Sequence, residues 1–164
     1  MSFLDISLFL SVLFCALATG FILTYAIVVM PGLSKLDDKE FIKAFQVTDG
    51  IIQNNQPIFI LIWLGSIISV LSTIIVSIFS LGILEAWLII FTSVVYLLGV
   101  QVITITIHLP LNRHIQKIDI NSTNPHTLND EHNNFETKWN YFNNIRTCIA
   151  VFVVLIFLLI LTMH

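Results

Sequence analysis

Four uncharged runs constrain this chain more than any other feature: residues 6–30, 57–84, 86–107 and 147–163, of 25, 28, 22 and 17 residues. Roughly 20 helical residues cross the hydrocarbon core of a bilayer, within a range of about 17 to 25, so each run is long enough to span. Strands of a membrane barrel are about half that length and alternate apolar with polar positions, whereas 6–30 and 148–162 are apolar on every side. Composition agrees, with 57% hydrophobic and 10% charged residues against about 25% charged in a soluble domain. The expected fold is all-α, an integral membrane four-helix bundle with spans near 6–30, 57–80, 84–108 and 145–163. The segments between them are too short for a separate soluble domain, so 1–164 reads as one membrane domain. Asp5 and the absence of Lys or Arg before the first run argue against a signal peptide, as does the apolar stretch that continues past Ala16-Leu17-Ala18.

All seven basic residues lie in or beside the two long connections: Lys35, Lys39 and Lys43 in the first, and Arg113, Lys117, Lys138 and Arg146 with the second. Such residues are retained in the cytoplasm. Both long connections are therefore expected inside and both termini outside, in a bacterial inner membrane. No basic cluster or stacking motif points to nucleic acid. Cys15 and Cys148 fall at unmatched depths, and His108, His114, His126 and His132 lack metal-ligand spacing. Neither phosphate-loop nor nucleophile motifs occur, and no metal or other cofactor is expected.

Ala16, Gly20 and Thr24 in the first span, and Gly65, Ser69 and Thr73 in the second, recur every fourth residue, a spacing that lets helices approach closely in lipid. Met30-Pro31-Gly32 is expected to end the first helix. Asp37 with Glu40 resembles a capping pair for a short amphipathic helix whose apolar face carries Phe41, Ala44, Phe45, Ile51 and Ile52. Gln46, Asp49 and Gln53 form a polar strip along its edge. That helix lies at the membrane surface or folds under the bundle. In the third span Gln101, Thr104, His108 and Asn112 share a face, and Pro110 frees the Thr106 carbonyl. Polar groups in a span turn inward, since facing lipid leaves them unsatisfied. Residues 120–129 read as loop, and a long last helix extends from the cytoplasm into the final span. On it Phe135, Trp139, Phe142, Asn143 and Arg146 share one face.

Polar groups thus converge on one end of the bundle, with Tyr25, Phe45 and Trp139 at similar depth. His108 is either a hydrogen-bonded structural group or a base. Arg146 is either an anchor that snorkels to headgroups or an inward guanidinium paired with Asp49 or a bound anion.

The segments Thr19-Gly20, Tyr25, Val29-Met30-Pro31-Gly32-Leu33, Leu36-Asp37-Asp38, Phe41, Phe45-Gln46, Ile52-Gln53-Asn54, Leu109-Pro110-Leu111-Asn112 and Trp139 through Asn143 to Arg146-Thr147 resemble the anthrone oxygenase-like membrane family. The resemblance spans nearly the whole chain. It implies a four-helix membrane fold. By analogy with the family's fungal members, it also implies oxidation of an anthrone to an anthraquinone by molecular oxygen without metal or flavin. Such chemistry needs a base, and the residues offer His108 for it, Asp49 to orient it, and Arg146 with Asn112 to stabilise the developing oxyanion. Tyr25, Gln46, Gln53, Asn112, Trp139 and Asn143 are the expected substrate contacts. The expected partners are the lipid bilayer itself and a small lipophilic aromatic or quinone-type ligand. The alternative function is a non-catalytic membrane module that binds a lipid or a partner membrane protein. A transporter is disfavoured, because no span carries paired charges or a broken midplane helix.

Overall fold

The structure, a computed structural model, describes residues 2–163 as five helices, with no strand among them. Four are long and apolar enough to cross a membrane: α1 (Phe3–Leu33), α3 (Pro57–Leu81), α4 (Trp87–Gln116) and α5 (Pro125–Met163). The fifth, α2 (Asp38–Gln53), is amphipathic and lies between the first two spans. At about 1.5 Å per residue the 39 residues of α5 extend about 58 Å, nearly twice the ~30 Å hydrocarbon thickness. Its first half therefore projects beyond the bilayer.

Two apolar cores result. Within the spans, Leu8, Cys15, Val70, Tyr96, Val100, Ala150, Val153 and Phe157 pack together. Beyond them, α2 lays Phe41, Ile42 and Phe45 against Met30, Ile115, Phe135 and Trp139. The amphipathic helix thus folds under the bundle. Asp37 caps it by accepting from the Glu40 N–H at 2.8 Å, and His132 of α5 holds its first turn, stacking on Phe41 at 3.8 Å with Nδ1 2.7 Å from Asp38. That contact, with the Asn129 amide, keeps the Asp38 carboxyl below the ordinary aspartate pKa.

The structure corrects several expectations. The first helix ends at Leu33, directly after Met30-Pro31-Gly32 as expected, but takes Pro31 into its last turn. It does so because Tyr25–Val29 widens into a π-helical turn, in which the Met30 N–H reaches back to the Tyr25 carbonyl. The register change absorbs the donor that Pro31 lacks. The same device precedes Pro110, where Thr104–His108 is π-helical and Leu109 N–H bonds Thr104 O. As a result α4 continues through Pro110 to Gln116, which keeps Asn112 on the same helix as His108.

Ala16, Gly20 and Thr24 face outward, and α1 buries Leu4, Leu8, Ser11, Cys15, Ala18 and Thr19 instead. The other small-residue stripe does pack. Ser11 and Thr73 share a hydrogen bond of 2.9 Å, and a Cβ on Gly65 would lie 2.6 Å from the Phe14 ring. On α2, Ile51 is 60% exposed and Ile42 takes its place inside. Finally, α5 begins at Pro125 within the expected loop, because Asn124 accepts from Thr127 N–H and Pro125 suits the first helical turn.

Candidate functional site

Where the two cores meet, a cavity of about 370 Å³ is walled by α1, α2, α3, α4 and α5 together. That is within the roughly 300–1,000 Å³ typical of small-ligand pockets. Tyr25, Asp49, Gln53, His108, Asn112, Trp139 and Arg146 all line it, so seven of the nine expected site residues meet at one place. Gln46 and Asn143 do not reach the cavity. Gln46 donates to the Ile115 and Ile118 carbonyls at 2.8 and 2.9 Å, clamping the end of α4. Asn143 is fully buried behind the wall, where it accepts from Arg146 Nε at 2.9 Å.

Trp139 is the hub. Its ring lies 5.0 Å from His108 in an edge arrangement, 5.5 Å from Tyr25 and 6.1 Å from Phe45, with the Arg146 guanidinium 5.6 Å from its centroid. The ring is held by its own polar atom, as Nε1–H donates to Asn112 Oδ1 at 3.0 Å. Asn112 in turn donates through Nδ2 to Asp49 Oδ1 at 2.8 Å. Gln116 supplies the other oxygen of Asp49 at 3.2 Å while also bonding the Gln46 carbonyl at 3.0 Å. Asp49 is thus 2% exposed and answered by amides rather than by a cation. Burial raises its pKa above the ordinary aspartate value, and the Gln116, Gln53 and Asn112 amides partly offset this.

Two expected pairings are absent. Asp49 is bonded neither to His108 nor to Arg146; its oxygens are already occupied by Asn112 and Gln116. Arg146 does not snorkel to headgroups, since only 8% of it is exposed. Its guanidinium donates to Asn143 and, through Nη1, to Thr104 Oγ1 at 3.1 Å. Those bonds use two of its five N–H groups, and among the described residues no carboxylate pairs with it. His108 is 2% exposed, and its ring approaches the Phe142 backbone carbonyl without a hydrogen bond of full geometry at either nitrogen. The Phe142 carbonyl can engage one ring nitrogen, so the cavity wall carries an imidazole whose other nitrogen has no protein partner.

A model of the anthrone oxygenase family matches residues 53–156. The chain belongs to that family. The matched stretch holds α3, α4, His108, Asn112, Trp139 and Arg146, while Tyr25 and Asp49 reach the cavity from outside it. No curated protein and no solved structure matches the chain.

Sequence reasoning missed the far wall. Trp63 donates through Nε1 to Gln101 Oε1 at 2.8 Å, and both line the cavity with Thr104. Gln101 and Thr104 already shared the polar face of the third span, so a signal for them existed. Trp63 is one aromatic in an apolar helix and carried none.

Proposed function

We propose that this anthrone oxygenase family member binds a lipophilic aromatic ketone in the cavity and oxidises it with molecular oxygen, His108 acting as base and Arg146 as the oxyanion partner. The observation that carries this reading is the pair itself: a buried imidazole with a nitrogen that has no protein partner and a buried guanidinium with no carboxylate partner among the described residues, in the wall of one largely apolar cavity. An unpaired buried charge is expensive, and an anionic ligand oxygen would answer it.

The chemistry is a four-electron exchange. His108 takes a proton from the ring methylene of an anthrone, and the electron pair delocalises onto the ketone oxygen, which faces Arg146. The electron-rich anion reduces oxygen at the same carbon and forms a hydroperoxide. Loss of the second C–H proton with cleavage of the O–O bond leaves a quinone carbonyl and water. One oxygen atom enters the product, the other leaves as water, and the anthrone supplies all four electrons. Trp139 and Tyr25 offer faces for a planar ring system. The polar end is proposed to lie on the cytoplasmic side of a bacterial inner membrane, supported by the seven basic residues beside the long connections.

Oxygen uptake by the purified protein after addition of a dihydroxyanthrone tests the reading. The parent protein should consume one oxygen per quinone formed. His108→Ala should lower the rate at least 100-fold, within the roughly 10²–10⁴ contributed by a general base, and should leave the amount of folded protein nearly unchanged. Binding without oxygen consumption would favour the non-catalytic alternative. A His108→Ala variant that loses stability in step with activity would make the histidine structural.

A further inference from the structure

The four spanning helices form a ring in the order α3, α1, α5, α4, and three of its seams are closed. Ser11 bonds Thr73 and Phe14 fills the space over Gly65 between α1 and α3. The backbones of α1 and α5 are in contact, and α4 follows α5 along its whole length. A Cβ on Gly99 would stand 2.8 Å from Ile149, which measures how closely α4 and α5 approach. The fourth seam differs. Helices α3 and α4 leave the turn at Gly82 side by side, but their backbone contact is concentrated on Trp87–Tyr96, the part of α4 nearest that turn. Beyond it, the π-helical stretches Leu97–Val102 and Thr104–His108 redirect α4, and the two helices part.

The cavity lies in this gap. Ile60 and Trp63 on one side and Gln101, Thr104 and Leu109 on the other belong to its lining. Gln101 bridges the two helices here, accepting from Trp63 Nε1 at 2.8 Å and donating from Nε2 to Ser66 Oγ at 3.2 Å and to Tyr96 OH at 3.0 Å. The flanking outward residues are apolar: Leu64 is 43%, Val102 44% and Ile105 48% exposed. At membrane depth such surfaces face lipid, so a ligand passing between α3 and α4 would come from the bilayer.

We infer that the cavity's ligand is a bilayer-dissolved apolar molecule that enters sideways between α3 and α4, and that Gln101 with Trp63 is the bar it must open. This rests on the proposed ligand pocket but concerns a different matter, namely the phase from which the ligand comes and the residues that control its passage. The competing route is aqueous, past the exposed turn at Asn55, which also lines the cavity.

Stopped-flow transfer of a dihydroxyanthraquinone from phosphatidylcholine vesicles to the reconstituted protein tests the route. The association rate should follow the mole fraction of dye in the lipid. Gln101→Leu should raise association and dissociation rates together, by about fivefold or more, as the loss of a bridging hydrogen bond of ~1 kcal/mol implies. Trp63→Phe, which keeps the bulk of the bar, should do the same. A residue that merely touched the ligand would alter dissociation alone. Rates that follow aqueous dye concentration, or that neither variant moves, overturn the inference. A ligand-free arm separates the two readings. With Trp87→Phe and Trp139→Phe present, Trp63 fluorescence should be quenched by lipids brominated in mid-chain, and more so when Gln101→Leu is added. Quenching without dye binding strikes at the pocket reading and leaves the gap standing, whereas absence of quenching removes the gap.

Discussion

Replacing Asp49 by Asn changes one atom, yet the structure assigns it a definite cost. Asp49 Oδ1 accepts from Asn112 Nδ2 at 2.8 Å and Oδ2 from Gln116 Nε2 at 3.2 Å. Neither donor is free to turn over. Asn112 must keep its oxygen toward Trp139 Nε1–H, and Gln116 Nε2 is also committed to the Gln46 carbonyl. An asparagine at this position offers one acceptor and one NH₂ group, so one locked donor faces another donor. A buried donor left unpaired costs about 1–3 kcal/mol, and in a chain of this size each kcal/mol lowers Tm by roughly 2–4 °C. A smaller effect opposes it. Because burial raises the folded pKa of Asp49, the carboxylate's contribution to stability is fully present below the ordinary aspartate pKa and declines as pH rises toward the folded value. The substitution recovers that loss at neutral pH, a loss the three amides partly offset. Asp49→Asn should therefore unfold about 2–12 °C below the parent when followed by far-UV circular dichroism in detergent at neutral pH. Adding Asn112→Asp restores every donor to an acceptor, since the new carboxylate takes both Trp139 Nε1–H and the amide at position 49. The double variant should recover most of the lost Tm. A single variant as stable as the parent, or a double variant no better than the single, would refute the locked-amide account.

Gly65→Val forces a Cβ toward the Phe14 ring, 2.6 Å away; overpacking of this kind costs about 1–3 kcal/mol, to be read as a fall in Tm. Asp38 has a lowered folded pKa, so its contribution is present above the ordinary aspartate value and is lost as pH falls through the folded one. A plot of Tm against pH should drop on the acid side for the parent and flatten there for Asp38→Asn. Topology is checked by alkaline phosphatase fusions: the enzyme joined at the C-terminus should be active and the one joined near Thr123 silent, and the reverse result would invert the proposed orientation.

Membership of the membrane class and the number of spans were legible in the sequence because they depend on length and apolarity alone, and bilayer thickness converts those directly into helices. So was the inward turn of Gln101, Thr104, His108 and Asn112, since lipid penalises any other direction. The clustering of Tyr25, Asp49, His108 and Arg146 around Trp139 could be anticipated from membrane depth, but their hydrogen bonds could not. Helical periodicity places a residue on a face without saying which neighbour will satisfy it. Asp49 bonds two amides rather than Arg146 because α2, folded under the bundle, sets it against the end of α4. The choice between the two small-residue stripes of α1 and α3 lay equally beyond pattern. Spacing permits a close approach, but only the packing of all helices decides which face turns inward, so Gly65 packs against Phe14 while Gly20 faces out. The open seam between α3 and α4 is a tertiary property as well, arising from π-helical turns whose register depends on interactions that a one-dimensional pattern does not contain.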